Sequence, residues 1–300
     1  MTRAQIALLP DRRRLHLQDG PIDLILEAWG ERIAIEAAYQ AAAARFVTIL
    51  DELCAELPPL RSAARQDSCD LTGIVTRRMH AAVAPFASRI FITPMAAVAG
   101  AVAEEILGAM RAAAPLTRAY VNNGGDIALH LAPGETFKVA MIDRPDRPSL
   151  FGTATIAASD PIGGIATSGW RGRSFSLGIA DAVTVLAPTA AMADAAATVI
   201  ANAVDLPHHE GILRVPAADI QPDSDLGLRL VTRHVPDLTP ADIAKALDAG
   251  EAAALSLRSR KLIAAAALHL QGRTQLVSIA ADRIAPPIFD PVPLKAIAHA

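Results

Sequence analysis

Cysteine is nearly missing from this sequence. Cys54 and Cys69 are the only two in 300 residues, and neither lies in a CxxC spacing. That excludes a disulfide scaffold and a zinc knuckle. Aromatic residues make up 4% of the chain and the formal net charge is −3. Base-stacking platforms and basic patches for nucleic acid are therefore not expected. The one tight basic run, Arg12-Arg13-Arg14, reads as a solvated strand or turn. No stretch reaches the roughly 18 uninterrupted apolar residues of a membrane span. The nearest, Pro94 to Leu107, is broken by Glu104 and Glu105 and reads as a buried helix. The opening residues, MTRAQIALLPDRRRLHL, lack the apolar core and small-residue cleavage site of a signal peptide, and no lipid-attachment cysteine follows. The expectation is no membrane association and a cytoplasmic location.

What the chain has is alanine and aliphatic residues. The hydrophobic fraction is 52% and the mean hydropathy is +0.31, much of it from alanine, which favours helix. A chain of this length can form a single α/β or α+β domain. Leu15 and Leu17, then Ile22, Leu24 and Leu26, alternate with other residues on either side of Asp19-Gly20-Pro21, a hairpin pattern. Glu31 to Leu57 reads as a long helix stopped by Pro58-Pro59, Asp67 to Leu71 as loop, and Thr76 to Val83 as a short helix ended before Pro85. Thr93 is placed to cap a helix with Pro94 in its first turn, running to about Ala113. Gly100 and Gly108 lie within it, for close packing or ligand approach.

Strands are expected at Ala119 to Asn122, Ile127 to Leu131, Phe137 to Ile142, Thr153 to Ala157 and Ala182 to Leu186. A helix from about Ala190 to Val204 follows, then a strand at Leu228 to Thr232 and a short helix from Thr239-Pro240. Leu262 to Leu270 and Gln275 to Ile279 flank Gln271-Gly272-Arg273 as a closing hairpin. No repeat or linker divides the chain, so one domain over 1–300 is expected. Its alanine-rich helices also leave room for a homo-oligomer.

Three segments carry chemistry. Asn122-Asn123-Gly124-Gly125-Asp126 joins two strands, and its glycines allow positive φ and exposed amides. Asp126 there can orient a ligand or satisfy its own turn. Gly163-Gly164-Ile165-Ala166-Thr167-Ser168-Gly169 reads as a small-residue loop able to admit a phosphate. It is neither a P-loop nor a nucleophile elbow. Asp194 and Thr198 are four residues apart on a helix and share a face. A carboxylate and a hydroxyl so placed suit a hard cation such as Mg2+, and the alternative is an Asp facing solvent near a helix start. His208-His209-Glu210 reads as solvated loop.

The strings NNGGDI, IATSG and VTVLAPTAAMADAAAT, in this order between about Val121 and Val204, resemble the ApbE superfamily, the FAD:protein FMN transferases. GRSFSLGIADAVTV, ADAAATVIANAV and PMAAVAGAVAEEIL resemble an uncharacterised ApbE-like branch and carry the similarity back to about Thr93. The resemblance implies an α+β fold, a mixed sheet with long helices packed on it. It implies that Asp194 and Thr198 hold Mg2+. Asn123, Gly124, Gly125 and Asp126 would line the flavin nucleotide site, with Thr167, Ser168 and Gly169 close to it. The substrate would be FAD or a related phosphorylated cofactor, and the acceptor a threonine hydroxyl of a partner protein, or water. The transferases carry His-x-x-Asp-Pro-x-Thr-Gly between the TSG turn and the VTV strand. Here residues 170–181 read WRGRSFSLGIAD instead. Asp181 then stands in the place of the acid, as a second catalytic candidate beside Asp194. Arg171, Arg173, Ser174 and Ser176 offer donors to phosphate.

Overall fold

The computed structural model describes residues 3–142, 150–278 and 284–285. The fold is α+β, as the sequence implies, and is built on a nine-stranded sheet. Its strands, in chain order, are β1 (Gln5–Leu8), β2 (Leu15–Asp19), β3 (Ile22–Trp29), β4 (Arg118–Asn123), β5 (Asp126–Leu131), β8 (Gly164–Ser168), β9 (Ala182–Ala187), β12 (Ala265–Leu270) and β13 (Arg273–Val277), and they pair in this same order. Every pairing in it is antiparallel, so the sheet is more uniform than the mixed one expected. Between β5 and β8 the chain forms β6 (Thr136–Ile142) and β7 (Leu150–Ala157), which pair with β14 (Ile284–Ala285) in a separate small sheet. A ribbon of β10 (Leu213–Pro216) and β11 (Leu230–His234) completes the strands.

One face of the large sheet carries the helices. α1 (Arg32–Ala55) lies on β2 and β3, α4 (Val98–Ala113) on β4 and β5, α5 (Ala190–Ala203) on β8 and β9, and α7 (Pro240–Ser259) on β12 and β13. The remaining helices are α2 (Leu57–Leu60), α3 (Ile74–Ala87) and α6 (Ala217–Ile220). The alternation expected around Asp19-Gly20 is present: Leu15, Leu17, Leu24 and Leu26 face inward and are buried. α1 presents Ala38, Ala42, Phe46, Ile49 and Leu53 as its buried stripe. Among the described helices it alone has the length and apolarity of a membrane span, with hydropathy 1.3; here that stripe packs towards α4 and the sheet. Core residues from Leu15 to Val277 join in one hydrophobic cluster. On the opposite face, Phe137 of β6 meets Trp29 and Tyr120 at ring-centroid distances of 5.6 and 6.4 Å.

Several local expectations need correction. The helix expected to end before Pro85 runs through it to Ala87, because Phe86 is buried and holds the last turn to the core. Only one helical bond is lost to the proline, that to the exposed end of the turn at Ala81. Thr93 does not cap the helix after it. Its hydroxyl donates to the Asp225 carboxylate, and Pro94–Ala97 forms a 3-10 turn before α4 begins. The helix from Pro240 is long rather than short, 20 residues, and is capped by Thr239, whose hydroxyl oxygen accepts from Asp242 N at 3.2 Å. The closing hairpin is present, with Gln271 and Gly272 both at positive φ in its turn; its expected end at Ile279 lies outside the described residues.

Candidate functional site

The largest correction concerns the segment read as a phosphate-admitting loop. Gly164 to Ser168 is a central strand, hydrogen-bonded to β5 and β9. Its glycines serve packing. A Cβ on Gly164 would stand 2.3 Å from Ala190 Cα, and one on Gly163 would stand 2.4 Å from Pro188 O. Their bareness lets the first turn of α5 sit directly on the sheet. Gly100 does the same from the other side, since a Cβ there would lie 2.3 Å from Ala190 O. The start of α5 is thus wedged between a strand and a helix, with its N-cap made by Thr189, whose hydroxyl oxygen accepts from Met192 N at 3.3 Å.

Asp194 follows one turn later. It does not stand free in solvent: its Oδ2 accepts from Gly100 N at 2.9 Å, and the Ala99 amide also donates to the carboxylate. Asn123 fixes the same turn of backbone, its Nδ2 donating to Ala99 O at 3.2 Å. Asn123 is buried at the end of β4. In the turn that follows, Asn122 Oδ1 accepts from Gly125 N at 2.8 Å, while Gly124 and Gly125 adopt φ of +65° and +111°. Asn122, not Asp126, therefore satisfies the turn. Asp126 accepts instead from the Thr167 amide of β8 and comes close enough to Asp194 to raise its proton affinity. The Thr167 hydroxyl is hydrogen-bonded to that of Thr184 at 2.9 Å.

Two acids thus come close together, Asp194 bonded to the first turn of α4 and Asp126 to β8. Neither residue is fully buried, yet burial of the carboxyl groups is the main cause that pushes both pKa values up. Asp126 is raised to about 7, with the Thr167 amide and the charge of Arg173 acting in the opposite direction. Asp194 is raised well above the usual carboxylate range, by burial first and by the Asp126 charge next. Among the described residues no ion pair neutralises either acid, and no group of three or more His, Cys, Asp or Glu gathers there. Thr198, half-buried, lies one turn further along α5. The two carboxylates, with a hydroxyl one turn away on the same helix, are hard oxygen donors of the kind that suit Mg2+ or Ca2+ rather than zinc.

Residues 170–181 are placed elsewhere for the most part. Asp181 is buried, and its carboxylate accepts three bonds: from Arg171 Nε at 2.6 Å, Trp170 Nε1 at 3.2 Å and Gln271 N at 2.7 Å. With Arg171, Leu238, His269 and Gln271 it lines a cavity of about 500 Å³ that neither Asp126 nor Asp194 reaches. Gly169 passes this region closely, since a Cβ on it would lie 2.4 Å from Asp181 O. Ser168 ends β8 opposite Val183. Ser176 is buried, with its hydroxyl 3.2 Å from Asn202 Oδ1. Asn202 is eight residues beyond Asp194, about 12 Å along the helix axis, so Ser176 belongs to the far end of α5. Ser174 and Arg173 are exposed, and Arg173 alone returns to the acid pair, by way of Gly124. His208 is exposed and His209 accepts from Gly211 N at 3.2 Å, in keeping with a loop.

Gly100, expected from the sequence only as a point of close packing or ligand approach, does pack closely and in addition anchors Asp194 through its amide, the role that sequence reasoning missed. A glycine inside a strong helix was its only signal.

A family model described as AbpE bacteria matches residues 6–276. Among curated relatives, a UPF0280 protein of Methanopyrus kandleri is 41% identical over 128 residues, covering 43% of this chain and 48% of its own length. A UPF0280 protein of Methanococcoides burtonii is 36% identical over 147 residues, covering 46% and 55%. One of Methanothrix thermoacetophila is 39% identical over 145 residues, covering 44% and 52%. The chain spans about half the length of the curated relatives it matches.

Proposed function

The chain belongs to the AbpE bacteria family, and on that premise we propose that it is an ApbE-like enzyme. It would act with Mg2+ on FAD or a related phosphorylated cofactor, by FMN transfer or pyrophosphate cleavage. The observation that carries this reading is the pair Asp126 and Asp194, two partly buried acids close enough for the charge of one to raise the pKa of the other, with Thr198 one turn beyond Asp194 on the same helix. Like charges brought together in a low-dielectric site are costly unless a cation or a shared proton relieves them. A divalent cation meets that need with donors of the right hardness.

Asp194 and Thr198 would hold the cation, with Asp126 across from them. Bound Mg2+ would supply neutralisation of the pyrophosphate charge and polarisation of its oxygens. The chain's own residues do the placing. Gly100 and Ala99 amides orient the Asp194 carboxylate. Asn123 holds that turn of backbone in register. Gly124 and Gly125, at positive φ, shape the tight turn beside Asp126, and Asn122 Oδ1 holds it through Gly125 N. Thr167, through its amide, aims Asp126. The acceptor is a protein threonine hydroxyl or water. Asp181 is assigned a supporting role in this reading, because Arg171, Trp170 and Gln271 already occupy its carboxylate.

The make-up of residues 170–181 favours a second reading. With no histidine in residues 170–181 and Asp181 so engaged, the site would bind a flavin, pterin or nucleotide without turning it over. Incubation with FAD and Mg2+, followed by chromatography of FAD, FMN, AMP and protein-bound flavin, separates the two. AMP released by the wild type and not by Asp194→Ala supports the enzyme. Intact FAD that co-elutes with the protein supports the binding protein, and neither result would leave FAD itself ruled out.

A further inference from the structure

Residues 170–178 carry two arginines with different roles. Arg171 is committed: its Nε donates to Asp181 Oδ1 at 2.6 Å, and its guanidinium carbon lies 4.3 Å from the centre of the Trp170 ring. Arg173 is exposed, and its guanidinium rests against Gly124. A Cβ on Gly124 would stand 1.8 Å from Nη2 and 2.9 Å from Cζ. A side chain at residue 124 would push the guanidinium off this seat, and the φ of +65° there also favours glycine.

Asp126, two residues along the same turn, feels the Arg173 charge. Among the described residues, however, no ion pair within 4 Å ties Arg173 to a carboxylate. The guanidinium is thus held at the rim of the acid pair with its fork of donors not taken up by an acid. Such a fork matches the oxygens of phosphate, and a charged donor strengthens the bond. A cation site and an anion-reading fork side by side suit a ligand that presents both charges at once. A metal-chelated diphosphate is such a ligand.

We infer that Arg173, seated on Gly124, is the residue that reads the anionic part of the ligand, and that this fork selects a metal-chelated diphosphate. The inference rests on the reading of Asp126 and Asp194 as a cation site. It assigns to Arg173 a binding role that Arg171 does not share.

The test uses inorganic pyrophosphate as the probe, titrated calorimetrically at saturating Mg2+ into the wild type, Arg173→Gln, Arg173→Lys and Gly124→Ala. Mg2+ alone is titrated in parallel. Arg173→Gln is expected to bind pyrophosphate about tenfold more weakly, the loss of one or two charge-assisted bonds. Arg173→Lys recovers part of this, because it keeps charge and loses the fork. Gly124→Ala weakens binding too, since the methyl group displaces a flexible side-chain end. Mg2+ alone binds Arg173→Gln no worse than wild type, because a nearby positive charge has been removed. Unchanged pyrophosphate affinity in Arg173→Gln overturns the inference. So does a joint loss of Mg2+ and pyrophosphate, which would make Arg173 a support of the fold. If the wild type binds no Mg2+, the cation reading fails by itself. Pyrophosphate titrated without metal then decides on Arg173 alone: a tenfold loss in Arg173→Gln sustains its anion-reading role, while the selection of a metal-chelated form falls with the cation site, and no loss overturns the role as well.

Discussion

Gly100 and Gly108 lie on one helix, two turns apart, and the same substitution at each should act in opposite directions. In the interior of a helix, Gly→Ala gains about 1 kcal/mol from reduced backbone freedom. At Gly108 nothing lies within 4 Å of a new Cβ, so Gly108→Ala should stabilise by about 0.5–1 kcal/mol. At Gly100 the Cβ would stand 2.3 Å from Ala190 O, 2.6 Å from Ala190 C and 2.9 Å from Ala191 N. All three are backbone atoms, so no side chain can turn away. Helix α5 must retreat by about 1 Å to restore ordinary contact. Overpacking of this kind costs about 1–3 kcal/mol, and the rigid backbone places it near the upper end. After the propensity gain, a net loss of about 2 kcal/mol remains. The shift also lengthens the 2.9 Å bond from Gly100 N to Asp194 Oδ2. Urea unfolding of both variants, with Mg2+ titration of each, reads the two effects together. Gly100→Ala should be less stable and bind Mg2+ more weakly, while Gly108→Ala changes neither for the worse. If both alanines stabilise alike, the wedging of α5 against α4 is refuted.

The acid pair predicts an unusual pH dependence. The folded pKa of Asp126, about 7, lies above its ordinary value of 3.8, and that of Asp194 is raised in the same direction. The native state therefore holds protons that the unfolded chain has released. Stability should fall as pH rises from about 4 to 7, by an amount on the order of a few kcal/mol in EDTA. Asp126→Asn should flatten that slope and Mg2+ should reverse it; a flat wild-type profile in EDTA would contradict the enclosure of the pair. Asp181→Ala should cost about 3 kcal/mol in chemical denaturation, because it removes the buried acceptor of the Arg171 ion pair and of the Trp170 Nε1 and Gln271 N donors. It should leave Mg2+ affinity as in the wild type, and a loss of Mg2+ binding in a folded variant would join Asp181 to the acid pair.

Much of the architecture could be read from pattern. The alternation on both sides of Asp19-Gly20 announces the first hairpin, and the long alanine-rich run from Glu31 to Leu57 announces α1, which spans Arg32–Ala55. The strand at Gly164–Ser168 could not be read locally. Its residues are small and it has no alternation of large apolar groups, so it looked like a loop. Its neighbours β5 and β9 make it a strand, which is the usual way context overrides propensity. The edge strand Gln5–Leu8 was missed because it is short and exposed on both faces. At the site, the spacing of Asp194 and Thr198 was legible as one helix face. The approach of Asp126 was not, since it depends on the register of β5 against β8. The role of Gly100 depends on a contact ninety residues away in sequence, which no local window contains.

The central claim is that Asp126 and Asp194 form a divalent-cation site. Calorimetric titration of Mg2+ into the metal-free wild type, beside Asp194→Asn and Asp126→Asn, tests it most directly. The account predicts one saturable site in the wild type, at least tenfold weaker in either variant, with proton release on binding at pH 6. Proton release follows because the acids must give up the protons they hold without the metal. Equal Mg2+ binding by all three proteins, or none by the wild type, would contradict it.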